Sequence, residues 1–391
     1  MGLYLKKFEN HTQYENYING SSAILPNVSI CTTEGDVHYN PYVPETRVVA
    51  KFNVTSANYP TQISYYYNNR TPRDGTSGFS AIEIDGVEQP NVVTSYTFTT
   101  TGEHTVKYTL KDPTILGSYA FAYCTGLTSI YIPDSVTSIG GAAFQSCISL
   151  PSIDIPSGVI SIGGNAFNAC RSLTSIVIPS GVTSISSFTF YHCSGLTSCT
   201  IGSGVTSIAN DAFEGCSGLT SIDIPDSVTS IGYDAFAGCI SLTSCTMGTG
   251  VTSIGSQAFG ACSGLTSIVI PSGITSIGND TFRSCRSLTS IVIPDSVTSI
   301  GSNAFEYCRS LSSCTIGSGV TSIGSSAFKD CNDLTSIVSN ATTAPTIQSN
   351  TFQSVKTGGT LTVPTGSSGY DVWMGTGDYY LGLYNWTKVE Q

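Results

Sequence analysis

Between Phe121 and Cys331 the apolar positions repeat on a cycle of 23 residues. Phe121, Phe144, Phe167, Phe190, Phe213, Phe236, Phe259, Phe282, Phe305 and Phe328 mark ten copies, and a cysteine stands three residues after each, from Cys124 to Cys331. A fixed period of this size marks a solenoid, in which a turn of chain buries its apolar face against its neighbours. One copy shows the expected elements. Ile268 and Ile270 alternate with Val269, which predicts a strand with the isoleucines inward and Val269 outward. Pro271-Ser272-Gly273 turns the chain, and Ile274 and Ile277 bring a second short extended segment back to the core. Asn279, Asp280 and Thr281 then precede Phe282 and Cys285, a spacing that predicts one helical or 3₁₀ turn.

The flanks have other textures. Residues 1–44 form an N-terminal leader or attachment segment, in which Tyr14, Tyr17 and Ile18 have the spacing of a short amphipathic turn. Residues 45–112 carry short β-branched and aromatic runs separated by Asp74-Gly75, Asp85-Gly86 and Thr101-Gly102, which predicts a small antiparallel β-sandwich. The solenoid is expected over 113–339. Residues 340–391 then read as an aromatic-rich C-terminal cap, since Ser339 replaces a core isoleucine and Phe352 arrives one residue late. The fold class is thus mainly β.

Composition narrows the function. Only 10% of residues are charged and the net charge is −11, with no basic run, so nucleic acid is not an expected partner. No stretch of 18 apolar residues predicts membrane insertion. Met1 to Asn10 lacks the apolar core of a secretory signal. That leaves two expectations: a surface protein whose export signal has been removed, or a virion component released by lysis.

Ten of the fourteen cysteines hold one place in the repeat, and Cys199, Cys245 and Cys314 hold another where other copies carry isoleucine. Cysteine that alternates with isoleucine is expected to be a buried thiol rather than a disulfide or metal ligand. His11, His38, His104 and His192 lie far apart, and pairs such as Asp211 and Glu214, or Asp223 and Asp226, read as scattered substitutions within repeats. No catalytic, cofactor or metal site is expected.

The surface most suited to a partner is the outward place on each strand: Tyr131, Asp154, Val177, Thr200, Asp223, Thr246, Val269, Val292 and Thr315. From Phe121 to Ser339 there are twelve acidic residues against five basic ones, a bias that would favour a basic partner. The aromatic tail supplies a second candidate, a sugar-stacking site built from Trp373, Tyr380 and Trp386, although half-wet aromatics also suit a cap.

The pattern Leu-x-x-Ile-x-Ile-Pro, then Val-Thr-Ser-Ile-Gly and Ala-Phe-x-x-Cys, resembles the BspA-type leucine-rich repeat of bacterial surface proteins. That resemblance implies a right-handed solenoid, no catalysis in the repeats, and adhesion to a protein or glycan on a cell surface. Tyr96 to Leu110 is similar to the last hairpin of bacterial immunoglobulin-like surface modules. Residues 5–10 and 37–41 resemble leaders of gut bacteriophage virion-associated proteins, which implies attachment of residues 1–44 to a larger assembly. A receptor-binding or decoration protein of a virion, and a purely structural spacer, are therefore the alternative functions.

Overall fold

The structure is a computed structural model that describes residues 28–33, 36–41, 46–64, 78–377 and 379–391. The chain divides into two units, Met1–Thr46 and Arg47–Gln391. In the first, β1 (Val28–Thr33) and β2 (Asp36–Pro41) pair as an antiparallel hairpin. The amphipathic turn expected at Tyr14, Tyr17 and Ile18 lies outside the described residues.

The second unit opens with β3 (Val48–Val54), β4 (Pro60–Gln62), β5 (Phe79–Ile84), β6 (Val87–Glu88), β7 (Ser95–Thr97) and β8 (Gly102–Leu110). Alternation buries Val48, Ala50, Phe52 and Val54 on one face of β3. β8 lies between β3 and β5, all antiparallel, and β4 pairs with β7 in a separate ribbon. Tyr96 to Leu110 is therefore not a hairpin, contrary to its likeness to an immunoglobulin-like module. Between the two strands Phe98 is buried, its ring tilted against that of His104 with 4.1 Å between ring centres, and β7 goes to the ribbon while β8 goes to the sheet.

The solenoid begins inside this sheet. After the short β9 (Ile115–Leu116) comes β10 (Leu127–Tyr131), the strand of the first turn, which pairs antiparallel with β3 through Ile130 with Ala50 and Tyr131 with Val49. Phe79 and Tyr108 meet Phe121 at 5.6 and 5.1 Å, so the core runs unbroken across residues 112 and 113. Proline explains why the next turn does not extend the sheet from β10. In later turns the N–H at this place bonds back one repeat, as from Thr197 to Thr174 and from Thr174 to Pro151. Pro151 has no N–H with which to reach Thr128, and residues 151–155 form no strand.

Beyond that break the turns stack in parallel with a constant offset. Ile176 pairs with Cys199, Thr200 with Asp223, Ile222 with Cys245 and Cys245 with Ile268 in one sheet, and Ser207, Ser230 and Ser253 are successive partners in a second. The inward Leu, Ile, Val, Phe and Cys side chains are buried as expected, and so is the alanine before most phenylalanines. Eleven phenylalanine rings, Phe121 to Phe352, form one offset stack with centres 5.1–5.8 Å apart and planes within 20°. Threonine hydroxyls reinforce it by bonding the carbonyl one turn back, as from Thr197 to Thr174 (2.9 Å) and from Thr206 to Thr183 (3.0 Å).

The helical turn expected before each cysteine is absent, and the reason is visible in the backbone. Two residues four apart in each turn, such as Tyr119 and Tyr123 or Asn165 and Ala169, have φ near +60°. A right-handed helix cannot pass through such residues. The segment is instead a pile of β-turns: Ala122 N–H bonds the Tyr119 carbonyl, Cys124 N–H bonds the Phe121 carbonyl, and the alternate N–H groups of Tyr119, Phe121 and Tyr123 bond the next turn. The cysteines are more than small apolar fillers, because nine thiols donate to a phenylalanine carbonyl of the preceding turn at 3.0–3.3 Å.

The array continues past residue 339. The late Phe352 still joins the stack, because the extra residue is absorbed after Ser339, where the offset between partners grows from 23 (Ile316 with Ser339) to 24 (Ser322 with Thr346). Trp373 then lies over Phe352, 5.2 Å between centres, and strand Thr387–Glu390 covers the last edge by pairing with Thr360–Val363. Among the described residues no helix is long and apolar enough to cross a membrane.

Candidate binding surfaces of the array

Two faces of the array offer chemistry. On the strand face Val177, Thr200, Asp223 and Thr246 are partners in one ladder, and Val292 and Thr315 in the next. Valines 177, 269 and 292 are 62%, 80% and 63% exposed, branched apolar groups that suit an extended backbone and here face water. The threonine hydroxyls beside them are tied to carbonyls, so the exposed hydroxyls of this face come from the serine column of Ser175, Ser198, Ser221, Ser244 and Ser267 and from Thr200 and Thr246. The nine expected residues do not form one ladder. Tyr131 is bound into the sheet of β3, Asp154 sits at the break left by Pro151, and Thr315 is half-buried. At that break lies a cleft of about 560 Å³ lined by Lys51, Tyr131, Asp134 and Asp154.

The aromatic tail is a cap and not a sugar platform. Trp373 and Trp386 are 1% and 5% exposed, and their indole N–H groups donate to the carbonyls of Pro345 and Lys356. Tyr380 is half-buried, with its ring against Gly375 and Gly377. No stacking face is left on either tryptophan.

The turn face holds a hollow of about 720 Å³ that the sequence did not announce. Its floor is Gly215, Gly238 and Ala261, which occupy the place before the cysteine where other turns carry Tyr123, His192 or Tyr307. Arg171, His192, Glu214, Gln257 and Arg283 form its walls. Aligning the copies at that one place would have revealed the missing side chains.

Beside the hollow, which Glu214 lines, Asp211, Glu214 and Asp234 come together, with one carboxylate oxygen from each within 4.8 Å of the others. They are not scattered, since Asp211 and Asp234 are one repeat apart and Glu214 reaches back three residues. Burial first, and then a hydrogen bond and the charges of Asp211 and Asp234, push the Glu214 carboxyl up to about 7. Burial likewise raises Asp234, against the effect of a hydrogen bond from Tyr233. Burial also raises the thiols, Cys193, Cys199 and Cys262 to about 12, which keeps them protonated at neutral pH.

A further group imitates catalytic geometry. His104 Nδ1 lies 2.7 Å from Asp85 and Nε2 3.3 Å from the Thr100 hydroxyl. The Thr100 carbonyl lies closer, at 3.1 Å from Nε2. The ring is thus held between the Asp85 carboxylate and the Thr100 backbone, which makes it a tie between strand ends.

Residues 114–243 and 229–359 match the BspA type leucine rich repeat region, more than half of the chain. A leucine-rich repeat protein from Bacteroides ovatus is similar in structure: TM-score 0.55, 28% identity, 71% of this chain and 76% of that chain. A leucine rich cell surface protein from Faecalibacterium prausnitzii is 32% identical over 58% of this chain and 77% of that one, with a TM-score of 0.35. A leucine rich repeat protein from T. pallidum is 32% identical over 46% and 75%, with a TM-score of 0.39. No curated protein matches the chain. Since the match runs through the stacked turns from residue 114 to residue 359, the chain belongs to the BspA-type leucine-rich repeat family.

Proposed function

We propose that the protein is a non-enzymatic recognition protein, displayed outside a cell, that binds a protein partner through the strand face of its array. The exposure of Val177, Val269 and Val292 carries this reading. Val177 and Val292 stand on two separate ladders and Val269 directly follows the last strand of the first, so these branched apolar groups are held in place in water and lose little by ordering when a partner covers them. Burial of the tryptophans favours a protein over a glycan as that partner. The surface location rests on family membership and on the low charge of the sequence.

The test is binding of the full chain to arrays of matrix proteins and glycans, repeated with Val177→Lys, Val269→Lys and the double variant. Loss of protein binding by tenfold or more with an unchanged melting temperature supports the strand face. Binding that survives the double variant rejects it, and selective capture of glycans replaces the partner class.

A further inference from the structure

Glu214 and Glu306 occupy the same place in their turns, directly after the buried phenylalanine. Glu306 is buried and neutralised: Arg283 Nε lies 2.9 Å from one oxygen and Lys329 Nζ 3.3 Å from the other. Both cations also face the Tyr307 ring. At Glu214 the flanking places hold Tyr191 and Ala237, which carry no charge, and the nearest companions are two more carboxylates. No cation pairs with Asp211, Glu214 or Asp234 among the described residues.

Asp234 sharpens the point. It is 7% exposed, and its Oδ1 is buried with no hydrogen-bond partner. A buried carboxylate oxygen left unpaired is costly, and proteins rarely keep one without an ion or a donor to meet it. Three carboxylates within reach of one another, one of them carrying such an atom and another, Glu214, lining the open hollow, describe a site that lacks its positive charge.

We propose that Asp211, Glu214 and Asp234 bind a calcium-class divalent cation that ties the fifth and sixth turns of the array together. The donor set is all oxygen, which suits a hard cation rather than zinc or copper. Calcium–oxygen distances are about 2.3–2.6 Å, so two ligands on opposite sides of one ion stand about 5 Å apart. Three oxygens within 4.8 Å of one another can therefore all touch a single ion. The hollow leaves room for the waters that complete its coordination. Ala237, where Glu306 meets Lys329, supplies that opening.

The full chain is to be titrated with Tb³⁺, excited through the neighbouring Tyr191 and Tyr233, and its melting temperature followed with Ca²⁺ and with EDTA. Expected are a saturable luminescence displaced by Ca²⁺, a melting temperature several degrees higher in Ca²⁺ than in EDTA, and loss of both responses in Asp234→Asn. Glu214→Gln, at a more exposed place, should weaken terbium affinity at least tenfold and serves if Asp234→Asn folds poorly. Asp295→Asn, elsewhere on the array, should leave both responses intact. Absent or unsaturable luminescence overturns the proposal, as does a signal unchanged in both cluster variants. Stability that rises from pH 7 to pH 5 by the same amount with and without Ca²⁺ also overturns it, because the carboxylates would then be sharing protons instead of an ion.

Discussion

The Cys147 thiol donates to the Phe121 carbonyl, 3.0 Å away and one turn back, and the same bond recurs from Cys170 to Phe144 and onward to Cys331 and Phe305. Phenylalanine and cysteine are thus coupled across turns as well as within them. This accounts for a cysteine column: the side chain fills an apolar slot and still supplies a donor.

Those thiols make the array sensitive to alkali. Burial holds their folded pKa above that of the unfolded chain, so the folded state keeps protons that the unfolded state releases. The stability they contribute is complete below the unfolded pKa of about 8.5 and falls as pH rises through that value toward the folded one. Denaturation midpoints should drop steeply above about pH 9, and the repeat cysteines should resist alkylation at pH 8 until the protein unfolds. Rapid labelling of the native protein would place the thiols in solvent.

The left-handed places in the turn pile carry strain that glycine would relieve. Ala261 has φ +57° and is exposed, so Ala261→Gly should leave stability unchanged or raise it by up to about 1 kcal/mol. Ala261→Val should lower it by about 1–3 kcal/mol, because a β-branched side chain tolerates that backbone poorly. Urea denaturation of both variants measures the difference. A valine variant as stable as wild type would remove the strain from the account.

Phe213 stacks between Phe190 and Phe236 at 5.1 and 5.2 Å. Phe213→Ala should cost about 3–5 kcal/mol by opening a cavity in the middle of the stack, and Phe213→Asp should abolish folding of the central turns. Circular dichroism melts with limited proteolysis would locate the damage.

Both tryptophans of the protein are in the cap, so fluorescence reports on the cap while circular dichroism reports on the array. Sugars should leave the emission of Trp373 and Trp386 unchanged. Trp373→Ala should destabilise by about 3–5 kcal/mol and promote association through the uncovered last turn.

The period of Phe121 to Phe328 made the stack legible, and alternation around Val269 correctly placed the outward face. Pairing choices were less legible. Nothing local marks Leu127–Tyr131 as a partner of β3, since the two strands lie far apart in sequence and run antiparallel where the later turns run parallel. The turn pile was misread as helical because Tyr119, Ala142 and Phe188 are not residues that announce a left-handed backbone. Asp211 and Glu214 were visible as a pair, but their meaning depended on Asp234, a full repeat away, and on what Tyr191 and Ala237 fail to supply. The hollow was hidden for a similar reason, being defined by side chains that Gly215 and Gly238 do not have.

The constant offset between partners has a consequence for how this molecule changes size. Each turn from Val177 to Ile268 touches only its neighbours, and every partner lies the same number of residues away. Excising or duplicating one whole unit inside the array would rejoin equivalent surfaces and leave both ends intact. A gene encoding such a chain can lengthen or shorten its product in quanta of one rung, setting how far the protein reaches without redesigning any contact.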